Sequence, residues 1–283
     1  MSELHCVQHI DAVREAVAGW RTAGERIAFV PTMGNLHAGH YALLDHARAQ
    51  ATRVVASIFV NPTQFGPAED FAAYPRSLAA DRAGLVAHGC DLLFAPSVAQ
   101  MYPRGLSDLI AIRVPGLEDI LCGAFRPGHF SGVATVVARL LGIVQPDVAV
   151  FGAKDYQQLM VVRRVVDDLA LPVRIDAAPT VREADGLALS SRNQYLEPAQ
   201  RTQAAMIYAT LQRARSEVLD HGSVAGVEAQ ALAALAGAGL VPDYVSIRDA
   251  NDLRKAGLDP AVSRIVLAAA WLGNTRLIDN LLI

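Results

Sequence analysis

The chain has 283 residues, 52% of them apolar and 19% charged, which is enough for one large domain and a smaller one and excludes a disordered chain. No apolar run reaches the length of a membrane span, and the first residues, with Glu3, His5 and Asp11, lack a signal-peptide pattern. A net charge of −3 argues against broad nucleic-acid binding, and the three scattered cysteines (Cys6, Cys90, Cys122) have no metal spacing and suit a reducing compartment, the cytoplasm.

Residues 8–24 read as an amphipathic helix with Ile10, Val13, Val17 and Trp20 as its apolar stripe, closed by Gly24. Residues 27–30 form an apolar run that predicts a buried parallel strand, and Tyr41, Leu43, Leu44 and Ala47 then recur at helical spacing. The stretch between them, PTMGNLHAGH (residues 31–40), holds two glycines and two histidines three apart. A strand that enters a helix through a Gly-containing turn presents backbone N–H groups and a positive helix end, a setting whose usual occupant is phosphate. If residues 36–40 open the helix, His37 and His40 share one face of its first turn, and Gly39 leaves room for close approach of a ligand. Zinc binding would need a third ligand that no nearby Cys or His cluster supplies, and two structural histidines at a helix start are the other alternative; phosphate handling is preferred to both.

Residues 53–60 predict a second buried strand that runs into Asn61, Pro62, Thr63, Gln64 and Phe65. In open parallel sheets ligands sit beyond the carboxyl ends of strands. Gln64 is therefore read as a ligand contact, whereas Asn61 is balanced between that role and satisfying the backbone of a Pro-containing turn. A helix near 77–88 ends at Gly89, a third strand covers 91–95, and Tyr74 before them either lines the pocket or packs. Residues 110–114 alternate like an edge strand. Arg126 and His129 sit in a loop entering a helix over 131–144, a place that suits an anionic substrate and equally a solvated loop. Residues 147–152 predict a fourth core strand, followed by Ala153, Lys154, Asp155 and, three residues on, Gln158, so that the strand–Gly–helix arrangement recurs and Asp155 and Gln158 have capping-box spacing. Only Lys154 and Lys255 are lysines among 25 basic residues, a hint that Lys154 needs a compact ammonium where Arg would otherwise stand. With a fifth strand at 173–177, the alternation predicts a doubly wound α/β domain with a parallel sheet over residues 1–179.

Asp185 and Gly186 mark a tight turn and a change of domain. In the following LALSSRN (187–193), hydroxyls beside Arg192 can close over a polyphosphate. A helix over 198–221 begins at Pro198, an Ala-rich helix covers 224–235, and strands are expected at 243–247, 264–270 and 277–283. Residues 180–283 therefore read as a smaller α+β lid domain.

The H-x-G-H form of GNLHAGH resembles the nucleotidyltransferase superfamily, which includes class I aminoacyl-tRNA synthetases, and the Ser-Ser-Arg stretch falls where the second signature of that superfamily lies. More narrowly, PTMGNLHAGH, SIFVNPTQF, RPGHFSGV, QPDVAVFGAKDYQQL, DGLALSSRN and AAAWLGNTRLIDN resemble, in order, segments of the pantothenate synthetase (pantoate–β-alanine ligase) family; Ala38 stands where relatives often carry an acidic residue. The resemblance implies a Rossmann-like sheet and a two-step ligation with ATP and Mg²⁺: pantoate forms pantoyl adenylate and pyrophosphate, then β-alanine displaces AMP. It places His37 and His40 on ATP phosphates, with His40 the candidate acid and Lys154 and Arg192 completing the catalytic set. It further assigns Met33, Gly34, Asn35, Leu36, Ala38, Gly39, Gly152, Ala153, Asp155, Val181, Leu189, Ser190 and Ser191 to the nucleotide. Gln64 and Gln158 fall at pantoate-holding positions, with Asn61, Tyr74, Arg126 and His129 as weaker candidates, and a homodimer is implied. The rival reading is a mononucleotide adenylyltransferase sharing H-x-G-H. An NAD dehydrogenase lacks support because the first turn has no G-x-G-x-x-G.

Overall fold

The structure is a computed structural model that describes residues 4–67, 71–255 and 263–283. By their contacts the residues fall into two units, Met1–Ala153 with Val161–Pro179, and Lys154–Met160 with Thr180–Ile283.

The first unit is built on six parallel strands: β1 (His5–Val7), β2 (Ile27–Thr32), β3 (Arg53–Ile58), β4 (Leu92–Phe94), β5 (Val148–Gly152) and β6 (Arg174–Ala178). They lie in the order β1-β4-β3-β2-β5-β6. Between them run α1 (Ile10–Thr22), α2 (Ala38–Arg48), α3 (Leu78–Ala87), α4 (Val98–Met101), α5 (Cys122–Phe125), α6 (His129–Val144) and α7 (Tyr156–Asp168), the last belonging to this unit only from Val161 on. Ile27, Ala28, Phe29 and Val30 are buried on both faces of the sheet, which is why β2 reads as a continuous apolar run rather than an alternating one. Helices α2 and α3 lay Leu44, Ala47 and Leu85 against Val30, Val54, Ala56, Leu93 and Val150.

From β2 the chain steps outward through β3 to β4 on one side, then returns to β5 and β6 on the other. The direction reverses between β2 and β5, and ligand crevices form outside the carboxyl ends of strands at such a reversal. Strand β2 extends past the expected run to Thr32, through Pro31. Proline has no N–H for a ladder, but the β5 pairing of β2 covers only Ala28 and Phe29, so Pro31 lies beyond it.

The edge strand expected at 110–114 does not form. Ile110 is 86% exposed, the Ile112 N–H donates to Thr135 Oγ1 at 2.9 Å and the Val114 N–H to Glu118 Oε2 at 3.1 Å, so side chains take the place of a neighbouring strand. Strand β1, in contrast, pairs with β4 but is too short to show a period.

The second unit holds α8 (Pro198–Ala204), α9 (Met206–Leu219) and α10 (Val224–Gly237) and an antiparallel sheet of β7 (Val241–Asp249), β8 (Arg264–Leu272) and β9 (Thr275–Leu282) in that order. The single helix expected over 198–221 is divided at Ala205, whose φ of −62° and ψ of −21° approach 3₁₀ values. Gly273, at φ 58°, opens the two-residue turn between β8 and β9, the place of glycine in a type II′ hairpin. Ile207, Leu211, Ala214 and Leu235 of the helices pack on Val266, Ala268 and Ala270 of β8. The α/β sheet with a smaller C-terminal α+β part expected from the sequence is the architecture observed. No described helix is long and apolar enough to cross a membrane.

Candidate active site

Beyond β2 the chain takes two consecutive left-handed residues, Gly34 (φ 84°) and Asn35 (φ 52°). A Cβ on Gly34 would sit 3.0 Å from Ile58 Cγ2 and 3.1 Å from Asp81 Oδ2, so both dihedral and space call for glycine. The Gly34 N–H donates to Thr32 Oγ1 at 3.2 Å. The Asn35 and Leu36 N–H groups donate to the two carboxylate oxygens of Asp81, at 2.9 and 2.8 Å. Asp81 stands in the first turn of α3, is 2% exposed, and also accepts the Ser77 hydroxyl at 3.0 Å.

His37 is the N-cap of α2. Its Nδ1 accepts the Gly39 N–H at 3.1 Å, and His40 Nδ1 accepts the His37 N–H at 3.3 Å, a capping box made of two imidazoles. The ring centroids are 4.1 Å apart. With Nδ1 an acceptor on both rings, a neutral imidazole carries its proton on Nε2. The expectation that this turn holds out backbone N–H groups to an anion is corrected for Gly34, Asn35, Leu36, His37 and Gly39. A hydroxyl, a carboxylate and two ring nitrogens within the protein take those donors.

At the end of β3, Asn61 is fully buried and caps the 3₁₀ turn Pro62–Gln64. Its Oδ1 accepts from the Thr63 N–H (3.3 Å), the Thr63 hydroxyl (3.0 Å) and the Tyr102 hydroxyl (2.8 Å). Its Nδ2 donates to Gln64 Oε1 at 3.1 Å and to the Gly132 carbonyl at 3.2 Å. Asn61 thereby orients Gln64, whose Nε2 lies 3.0 Å from Met33 Sδ and links the loops after β2 and β3. Helix α6 comes so close that a Cβ on Gly132 would overlap the Thr63 carbonyl.

His129 Nδ1 lies 2.8 Å from the Gln64 carbonyl, which only accepts, and His129 Nε2 lies 3.0 Å from Arg126 Nη1, which only donates. Both contacts require a neutral ring protonated at Nδ1, the tautomer opposite to that of His37 and His40. Tyr74 is buried with its ring edge-on to Phe65, which also meets Phe71.

Gly152 and Ala153 belong to the first unit; Lys154, Asp155, Gln158, Val181 and residues 189–192 group with the second. Lys154 Nζ is 3.8 Å from Asp155 Oδ2, and the Lys154 carbonyl accepts from Asn280 Nδ2 at 2.7 Å. The Tyr156 hydroxyl donates to the Ala250 carbonyl at 2.8 Å. Gln158 is half-buried, and its neighbour Gln157 is buried. The Leu189 N–H donates to the Val181 carbonyl at 3.0 Å, Arg182 bridges Ala188 antiparallel, and Gly186 turns the chain at φ 91°. Ser190 caps the 3₁₀ turn Ser191–Tyr195 by accepting the Arg192 N–H at 3.3 Å.

Arg182 forks onto Asp279 (2.6 and 2.9 Å), donates to the Gly186 and Asn280 carbonyls, and lies over the Tyr208 ring at 3.8 Å. Burial pushes the Asp279 carboxyl up, and Arg182 pulls against that without cancelling it. Asp81, Asp279 and Asn280 were not among the residues that sequence reasoning selects. Two polar residues inside the apolar C-terminal run LIDNLLI were a readable signal for the last two; Asp81 offered none. Among the described residues, no three His, Cys, Asp or Glu side chains are grouped to hold a metal ion.

The sequence pattern described as pantoate-β-alanine ligase matches residues 5–282. Pantothenate synthetases of Pseudomonas aeruginosa and Shewanella loihica are 55% and 52% identical over 282 and 278 residues, each comparison covering 98% of this chain and 98% of the relative. The solved pantothenate synthetase of Thermus thermophilus matches with a TM-score of 0.91 at 47% identity, covering 98% of each chain. The pantoate-β-alanine ligase of Francisella tularensis, solved in complex with β-γ ATP and β-alanine, matches with a TM-score of 0.83 at 33% identity over 99% of this chain and 98% of that one. Agreement of this extent, in sequence and in fold, makes the chain a member of the pantoate–β-alanine ligase family.

Proposed function

We propose that the chain performs the reaction of its family, ATP-dependent ligation of pantoate and β-alanine to pantothenate. The pantoate carboxylate attacks the α-phosphorus of ATP, pyrophosphate leaves, and pantoyl adenylate remains. The β-alanine amine then attacks the acyl carbon; the C–N bond forms as the acyl–oxygen bond to AMP breaks. A carboxylate is already ionised, so the first step needs no strong base. It needs the repulsion between two anions relieved and the charge growing on the α-phosphoryl oxygens stabilised.

The interlocked His37 and His40 pair carries this reading. Two rings whose Nδ1 atoms are held by the backbone carry Nε2–H groups in a fixed orientation, suited to phosphate oxygens. Lys154 and Arg192 are assigned to the same developing charge, with Ser190 and Ser191 on nucleotide oxygens. Gln64, set by Asn61 and Met33, and Gln158 are assigned to pantoate, with Arg126 and His129 supporting Gln64. Tyr74, packed edge-on to Phe65, is assigned to the pantoate side with Gln64.

Mg²⁺ is proposed to accompany the triphosphate. Among the described residues no three His, Cys, Asp or Glu side chains are grouped to hold it; bound with the triphosphate, it would supply charge neutralisation. A homodimer, a cytoplasmic location, and a division into a substrate domain (1–179) and a lid domain (180–283) belong to the same proposal. Sedimentation tests the dimer, and protection of 180–283 from proteolysis by ATP tests the lid.

The deciding experiment follows pyrophosphate release from ATP when either pantoate or a mononucleotide is added. Pantoate is expected to trigger it, with AMP appearing only when β-alanine follows. Release with the mononucleotide and not with pantoate would overturn the assignment in favour of an adenylyltransferase.

A further inference from the structure

We infer that Asp279 and Asn280 of β9 form a positioning element that sets, from one strand, both the Lys154 backbone and the arm carrying residues 190–192. The inference rests on the roles proposed above for Lys154 and Arg192. Both residues are buried, 5% and 7% exposed, opposite Ala268 and Leu267 of β8, with apolar Leu277, Ile278, Leu281 and Leu282 on either side. An acid and an amide at such a place lower stability unless their polar atoms are engaged; Asp279 Oδ1 accepts the Asn280 N–H within the strand at 2.8 Å, and the remaining contacts reach outside the sheet.

Successive side chains of a strand leave opposite faces, so neighbours reach different elements. Asp279 accepts the Arg182 guanidinium in a two-point fork at 2.6 and 2.9 Å. Asn280 donates to the Lys154 carbonyl at 2.7 Å, and its own carbonyl accepts Arg182 Nη2 at 3.2 Å. Arg182 transmits the placement along a short path. Its backbone bridges Ala188, the Leu189 N–H closes on Val181, and Ser190, the next residue, begins the turn that carries Arg192. Lys154 is held at its backbone, while its ammonium lies 3.8 Å from Asp155 and its charge also pulls against the burial of the Asp279 carboxyl. Two positive side chains assigned to one developing charge are thereby referred to the same pair of adjacent residues.

Asn280→Ala and the near-isosteric Asn280→Leu remove the donor to the Lys154 carbonyl. Two half-reactions are followed in each variant: pyrophosphate release from ATP with pantoate, and AMP release from supplied pantoyl adenylate with β-alanine. The expected result is a loss of at least tenfold in kcat for the first, with the second within about twofold of the parent. Asp279→Asn, which keeps the shape and weakens the fork, is expected to raise KM for ATP and leave KM for pantoate unchanged. Equal losses in both half-reactions, no loss in either, or failure of both Asn280 variants to fold assigns the pair to the fold alone and overturns the inference. A parent enzyme that releases no pyrophosphate with pantoate would instead refute the proposed reaction, so the two failures read differently.

Discussion

Replacing Asp81 by alanine tests whether the turn before α2 is held by one carboxylate. Two backbone N–H groups, those of Asn35 and Leu36, would lose acceptors at 2.9 and 2.8 Å. A hydrogen bond to a charged group contributes about 1.5–3 kcal/mol, which sets an upper bound of roughly 6 kcal/mol for the pair. The buried carboxylate carries a desolvation cost that its removal returns, and water can reach these partly buried N–H groups. The expected net loss is therefore about 2–4 kcal/mol for Asp81→Ala. Asp81→Asn keeps the shape and one acceptor but turns an amide donor toward the other N–H, so about half of that loss is expected. Urea unfolding with an unchanged m-value measures the global term, and hydrogen exchange at Asn35 and Leu36 measures the local one. Both amides should exchange slowly in the parent and fast in Asp81→Ala, with pyrophosphate release slowed about tenfold because Gly34 and Asn35 no longer hold their left-handed turn. A variant within about 0.5 kcal/mol of the parent, with slow exchange and full activity, would refute the reasoning.

Gly132→Ala should destabilise by about 3 kcal/mol, since the clash is with the Thr63 backbone and not with a movable side chain, and should raise KM for pantoate; thermal melts and initial rates check it. Tyr102→Phe removes one of three donors to Asn61 Oδ1 and should lower stability by about 0.5–1.5 kcal/mol in urea. Lys154→Ala should slow pyrophosphate release by roughly 10²-fold or more with an unchanged melting temperature; a fully active variant would remove Lys154 from the mechanism. The Arg201 hydrogen bond holds the Asp185 carboxyl below its ordinary 3.8. That contribution is present above the unfolded value and is lost as pH falls through the folded one. Asp185→Asn should therefore flatten the fall of stability below about pH 4, measured by melts across the acid range.

The parallel core was legible because strands buried on both faces are uninterrupted apolar runs, as Ile27, Ala28, Phe29 and Val30 show. The closeness of His37 and His40 was legible as spacing, but its form was not: α2 begins at Ala38, so His37 stands outside the helix as an extended N-cap and the rings meet as a capping box and not on one face of a helical turn. The alternation at 110–114 misled because a period of two reports two unlike faces and says nothing of whether a neighbouring strand exists to accept the ladder. Asn61 could not be placed from its position alone. Its five hydrogen-bond contacts come partly from Tyr102 and Gly132, 41 and 71 residues away. Asp81 reaches Asn35 across 46 residues and Arg182 reaches Asp279 across 97, distances over which a local pattern carries no information. Local periodicity thus reveals the elements, while long-range polar contacts decide how their ends are aimed.

The double-imidazole cap of α2 gives each ring two duties. Its Nδ1 holds a backbone amide of the first helical turn, while its Nε2 stays on the side away from that amide. A substitution at either position therefore removes a helix cap together with the group assigned to phosphate. A lost cap should show as faster hydrogen exchange at the Gly39 or His37 amide, which separates the structural duty from the chemical one.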